Sequence, residues 1–317
     1  MRQRSNRFFV ALAGVIAASF VLAAVALGAT IVGDGGNNNL TGTPERDLIV
    51  ARGGNDTVNA RAGRDRVLGG AGNDTLNGNF GKDYVRGGPG DDTLHGGGGF
   101  PGRRGDRLHG NAGNDRVFGG GGYDLLTGNL GDDVLNGGAG QDGVFGGPGN
   151  DQVNGGGGAP GNRADRLHGG EGNDAVNGGP GFDKMSGGKG DDTQNGGAGA
   201  DLIFANLGAD TTDGGDGNDH LWALARGDVA FLGDPNGDAL TGGNGNDRFR
   251  VRDGESDRIT CGEGNDHVFA DQFDVVTDAT PTNANGSCER VLRGSVSGSD
   301  EGPEAKEENP GSDRKES

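Results

Sequence analysis

The chain has 317 residues, 73 of them glycine, with 30% apolar side chains, 5% aromatics and a formal charge of −19. That composition excludes a conventional apolar core of matching size, and the charge argues against nucleic acid as a partner. Low apolarity with high charge ordinarily means disorder, so any order here must come from a regular pattern or a ligand.

Residues 1–7 are basic, with Arg2, Arg4 and Arg7, and Phe8 to Gly28 carries no charge. Residues 1–29 read as a secretory signal peptide, with Ala24-Val25-Ala26 fitting a small-x-small cleavage rule and Ala29 offering a second place for it. An uncleaved anchor is the rival reading, since about 20 apolar residues can span a bilayer. Either one places the rest of the chain outside the cytoplasm, secreted or held at the cell surface.

From Gly33 to about residue 270 the chain keeps a nine-residue period, the mark of a repeat architecture. Asn38 and Asp47 open it as an imperfect cap. Aspartate then recurs at 56, 65, 74, 83 and 92, at 106 to 151, and at 165 to 228, with one-residue slips at 238, 247, 257 and 266. Glycines stand two, four and five residues before most of these aspartates, as Gly149, Gly147 and Gly146 do before Asp151. Glycine takes positive φ without steric cost, so this half of the repeat is a tight turn. Two residues after the aspartate comes one apolar side chain between polar neighbours, as Leu76 lies between Thr75 and Asn77. One inward residue between two outward ones is a minimal β-strand. Two nonapeptides then close a coil of eighteen residues, and stacked coils make a parallel solenoid with strands about 4.8 Å apart.

Aspartates one coil apart, such as Asp56, Asp74 and Asp92, fall in a row along one edge. Neighbouring carboxylates at that spacing repel by roughly 1 kcal/mol even in water. A hard divalent cation reverses the sign, because it takes six to eight oxygens from carboxylates and backbone carbonyls. Calcium suits such a flexible cage better than magnesium. The motif Gly-Gly-x-Gly-x-Asp-x-apolar-x resembles the hemolysin-type, or RTX, calcium-binding repeat, over residues 33–270. The resemblance implies an all-β, right-handed parallel β-roll with calcium between turns. The metal ligands it implies are Asp74, Asp83, Asp92, Asp115, Asp124, Asp133, Asp142, Asp151, Asp174, Asp183, Asp192, Asp201, Asp219, Asp247 and Asp266. Asp56 and Asp65 follow turns that have lost glycines, and Asp228 follows Ala223-Leu224-Ala225-Arg226-Gly227, so none of the three joins that set.

Two turns are five residues too long, at 97–105 and 156–164, and each is followed by Arg-Leu-His-Gly. They read as surface loops, or else as a paired recognition feature. Gln194 and Thr212 replace the inward apolar residue, which predicts poorer packing in those coils. Residues 221–237, around Trp222, read as a distorted coil, with a ligand groove as the alternative. Cys261 and Cys288 in an exported chain are expected to form a disulfide, fastening a C-terminal cap over residues 271–293. Residues 294–317 have the composition of a disordered acidic tail.

No catalytic set emerges. His95, His109, His168, His220 and His267 each fall one or three residues after a repeat aspartate, on the outward side, without zinc-like spacing. Arg104-Gly105-Asp106 and Arg226-Gly227-Asp228 spell an adhesion tripeptide, but both aspartates fall in the repeat register. The expectation is a non-enzymatic, exported protein binding several calcium ions in a structural or cell-surface role. The alternatives are an adhesion or carbohydrate-binding module that takes a cell-surface or extracellular-matrix ligand through the inserted loops, and a secreted hydrolase.

Overall fold

A computed structural model describes residues 28–98, 104–157, 164–223, 236–277 and 286–294. Residues 1–27, read as a signal segment, the centres of both long turns, residues 224–235 of the segment read as a distorted coil (Asp228 among them), residues 278–285 of the expected cap, and residues 295–317, read as an acidic tail, lie outside the described residues.

Each repeat becomes a short strand because a single apolar side chain is flanked by polar ones. In Thr57–Asn59 only Val58 is buried, and in Thr75–Gly81 Leu76 is buried between outward Thr75 and Asn77. Successive nonapeptides go to alternate sheets. Val58 pairs with Leu76, and Leu76 with Leu94, in one parallel sheet. Ile49 pairs with Val67, and Val67 with Val85, in the other. Two nonapeptides therefore make one coil, as the eighteen-residue period requires, and among the described residues the chain is an all-β parallel solenoid. Strand Arg116–Leu130 runs through both sheets without a break, pairing with Val134–Gly140 on one side of the coil and Gly143–Pro148 on the other.

The core is the narrow space between the sheets. It is filled mainly by one large inward residue per nonapeptide, including Ile49, Leu76, Leu94, Leu108, Leu126, Leu135 and Met185, all fully buried. A column this thin removes little apolar area per residue, so backbone pairing and the turns must contribute much of the remaining stability.

Turns that lost glycine keep the shape. Arg52 and Arg61 take φ of 86° and 77°, and Gly70 at φ 126° stacks on Arg52 one coil later. Neighbouring coils impose the left-handed conformation that the local sequence does not favour.

After each insertion the strand returns to register, with a local shift between Arg104 and Arg107 after the first. Leu108 pairs with Val85 and Leu167 with Val144, each a step of one coil plus five residues. The region read as a distorted coil behaves differently. His220–Trp222 is a regular strand, with Leu221 and Ala223 buried and Trp222 outward, where the Arg250 guanidinium lies 4.7 Å from its ring centre. The next partner of Leu221 is Phe249, twenty-eight residues on. The irregularity is thus a ten-residue insertion after an intact strand.

Gln194 and Thr212 are buried but satisfied. The Gln194 Nε2 donates to the Phe204 carbonyl at 2.8 Å, and the Thr212 hydroxyl donates to Gln194 Oε1 at 3.0 Å. They lie where the apolar core divides into one group ending at Ile203 and another beginning at Ala205. Beyond them the second group is closed by the Cys261–Cys288 disulfide, as expected, and by the final strand Arg290–Arg293.

Candidate metal centre

The aspartates form two ladders, one along each edge of the solenoid. In each, the main-chain N–H of one aspartate donates to Oδ1 of the aspartate a coil further on. The first runs Asp56 to Asp74 at 2.8 Å, Asp74 to Asp92 at 2.8 Å and Asp92 to Asp115 at 2.7 Å. It continues through Asp133, Asp151, Asp174, Asp192, Asp210, Asp238 and Asp257 to Asp274. The second begins at Asp47 and passes Asp65, Asp83, Asp106, Asp124, Asp142, Asp165, Asp183, Asp201, Asp219, Asp247 and Asp266. It ends on Glu289, whose Oε2 accepts the Asp266 N–H at 2.7 Å.

Every aspartate expected as a ligand stands in one of these rows and is almost wholly buried. So do Asp56 and Asp65, despite their altered turns, and Asp106, Asp165, Asp210, Asp238 and Asp257. The aspartate of Arg104-Gly105-Asp106 has its carboxylate inside the ladder, 1% exposed, which removes it from any adhesion surface. The five histidines are half-buried on the outer faces, where His95 stacks on Phe118 and His109 packs beside Tyr84 and holds Thr127 Oγ1 at 2.7 Å.

One oxygen of each carboxylate is accounted for by the ladder. The other, Oδ2, is buried without a hydrogen-bond partner at Asp74, Asp83, Asp92, Asp115, Asp124, Asp133, Asp142, Asp151, Asp174, Asp183, Asp192, Asp201, Asp219, Asp247 and Asp266. A buried carboxylate oxygen without a donor is expensive, and a single one needs an explanation. A series this long needs one common partner.

The turns show what that partner meets. A Cβ at Gly69 would lie 2.3 Å from Asp74 Oδ2 and 2.8 Å from the Gly87 carbonyl oxygen of the next coil. At Gly146 the corresponding distances are 2.2 Å to Asp151 Oδ2 and 2.5 Å to the Gly169 carbonyl. A carboxylate oxygen and a carbonyl oxygen from adjacent coils thus face the same glycine, which leaves them unobstructed. The donor set is all oxygen, acidic and repeated, and fits a hard cation such as calcium.

The carboxyls carry the mark of the same problem. Burial pushes Asp92, Asp115, Asp133, Asp142, Asp174 and Asp192 up to about 7, against the opposing pull of the ladder N–H. For Asp115 the carboxylates of Asp133 and Asp92 add to the effect. Asp83, Asp151, Asp201 and Asp219 rise to about 6 for the same first reason. Asp47 goes the other way. Burial raises it, but N–H groups of Ala29 and Thr43 and the Thr43 hydroxyl outweigh that and hold it below the ordinary carboxylate range.

Fold and site together define a parallel β-solenoid with two buried carboxylate ladders along its glycine turns. The sequence profile of the RTX calcium-binding nonapeptide repeat matches at residues 32–67, 68–100, 102–126, 109–144, 127–159, 161–194, 186–221 and 241–274. The chain belongs to this family of calcium-binding repeats. No curated protein matches it.

Proposed function

We propose that the chain is an exported protein that binds several calcium ions between its coils and folds around them outside the cytoplasm, in a structural or cell-surface role. The observation that carries this reading is the series of buried Oδ2 atoms facing turn carbonyls across glycine. Asp74, Asp83, Asp92, Asp115, Asp124, Asp133, Asp142, Asp151, Asp174, Asp183, Asp192, Asp201, Asp219, Asp247 and Asp266 would hold the ions through Oδ2. Calcium would supply the positive charge that lets like-charged side chains lie a coil apart. The basic, then uncharged, N-terminus supports export, and extracellular calcium is in the range that weak carboxylate–carbonyl sites require.

Circular dichroism across a calcium titration of the mature chain tests the proposal. Chelated protein should be expanded, and millimolar calcium should make it compact and β-rich. A spectrum that calcium leaves unchanged would count against it.

A further inference from the structure

The two sheets share one backbone geometry, one alternation and a ladder apiece, yet their outer faces differ. In the sheet whose strands follow the second ladder, Arg66, Arg86, Arg107, Arg248, Arg250 and Arg290 point outward and are exposed. No outward position of its strands holds Asp or Glu among the described residues, although the whole chain carries a formal charge of −19. The matching positions of the other sheet hold mainly threonine and asparagine, as Thr75 and Asn77 show. Arg116 and Arg258 are its only outward arginines among the described residues. Offsetting ladder charge does not explain the difference, because the first ladder is as continuous as the second and lacks such a face.

None of the six arginines forms an ion pair among the described residues. Like charges gathered on one sheet face cost stability unless something outside offsets them. The side chains are also held in place. The Arg250 guanidinium lies 4.7 Å from the Trp222 ring centre and that of Arg66 5.5 Å from the Tyr84 ring centre, while Arg86 Nε donates to Asn111 Oδ1 at 2.7 Å. A guanidinium resting flat on a ring keeps its N–H edge for a planar anion, which it meets with two parallel hydrogen bonds.

We infer that this face binds a linear acidic polysaccharide, laid along the solenoid axis with its carboxylate or sulfate groups against the arginines. The cations recur over a straight stack of strands about 4.8 Å apart, which suits a polymer with closely spaced charges rather than one small anion. The rings of the face lie against it. Phe204 is 3% exposed and packs on Trp222 at 5.3 Å between ring centres, and Trp222 is half-buried beside Arg250. Rings placed in this way neither reach into a bilayer nor offer a bare platform to nucleobases. The remaining negative charge repels an extended anionic surface, whereas a single chain need touch only this face. The inference goes beyond metal binding and holds whatever fills the ladders.

The test is calorimetric titration of the full chain in calcium with a chondroitin sulfate oligosaccharide, beside the same backbone desulfated and carboxyl-reduced. The charged glycan should bind, less tightly as salt is raised, and the neutral one should not. Arg248→Gln combined with Arg250→Gln should weaken binding by about tenfold or more, through lost charge-assisted hydrogen bonds. Arg116→Gln combined with Arg258→Gln removes the same charge from the opposite face and should leave binding unchanged. All four side chains are exposed, so both double variants should keep the wild-type circular dichroism spectrum. Equal weakening by the two pairs, or no binding by wild type, overturns the inference. Tighter binding of a single-stranded thymidine polymer or of phosphatidylglycerol vesicles does so too. Failure of the calcium reading shows separately, as a spectrum that chelation leaves unchanged; the titrations are then run in chelator and judged by the same outcomes.

Discussion

At the scale of the residue, the aspartate side chain divides its work between two oxygens. Oδ1 pins the next coil through a backbone N–H, and Oδ2 is left buried for something else. That division sets the pH behaviour. In the unfolded chain these carboxyls titrate near 3.8, and burial raises them to about 7 at Asp92, Asp115 and Asp142 in the metal-free fold. The fold then binds more protons than the unfolded chain between these values. Metal-free stability should be complete below about pH 4 and decline as pH rises towards 7. Calcium selects the deprotonated form, so calcium-loaded protein should hold its stability across most of this window and lose it only as pH falls towards the unfolded value near 4. Far-UV circular dichroism at about pH 5 and pH 7.5, with chelator and with calcium, gives the two slopes, the chelated chain being the more ordered at the lower pH. Parallel slopes would refute the argument.

Glycine is the other informative residue. A Cβ at Gly169 would lie 2.3 Å from Asp174 Oδ2 and 2.5 Å from the Gly187 carbonyl oxygen. Gly169→Ala should therefore cost roughly 1–3 kcal/mol by overpacking and remove ion binding at that turn. At Gly157, exposed in the second long turn, nothing lies within 4 Å of the added carbon. Gly157→Ala should stay within about 0.5 kcal/mol of wild type. Thermal melts of the pair in calcium decide whether space in the turn, rather than glycine's backbone freedom alone, is what matters.

At the scale of the element, each strand is too short to be stable alone and depends on the coil above and below. The Gln194 strand shows how much a single inward position can do. Sequence suggests a packing defect there, whereas the side chain bridges the Phe204 carbonyl and the Thr212 hydroxyl inside the core. Gln194→Leu should restore apolarity yet lower stability by about 1–3 kcal/mol, because both partners would be left buried and unmade. A melt of this variant above wild type would show that the polar pair is dispensable.

At the scale of the whole molecule, stability should be a sum over neighbouring coils, with the ends decisive. The N-terminal end opens on strand Thr30–Val32, paired with Leu48–Val50, ahead of Asn38 and the satisfied Asp47. The C-terminal end is closed by a disulfide spanning 27 residues, worth on the order of 3–4 kcal/mol in a chain-entropy account. Reduction in calcium should loosen residues 258–293 first and leave the coils before Gln194 protected. Hydrogen exchange measures this directly, and uniform loss of protection along the chain would contradict a nearest-neighbour solenoid.

The eighteen-residue coil, the alternation of sheets and most of the ladder aspartates were legible in the sequence, whereas Asp274 lies where the period fades and was not. They follow from counting: a period of nine, one apolar residue per period and one aspartate at a fixed offset leave a single way to stack. The five-residue insertions were equally plain, since the period resumes after them. Other features were decided only by neighbours in space. Arg52 and Arg61 adopt left-handed turns because the coils beside them do, so Asp56 and Asp65 keep ladder positions that their own turns do not advertise. Asp238 and Asp247 follow Asp210 and Asp219 across ten extra residues, a step that local spacing cannot distinguish from a slipped coil. A glycine pattern reports what a turn prefers by itself; register and side-chain direction are fixed by hydrogen bonds to the coil next door.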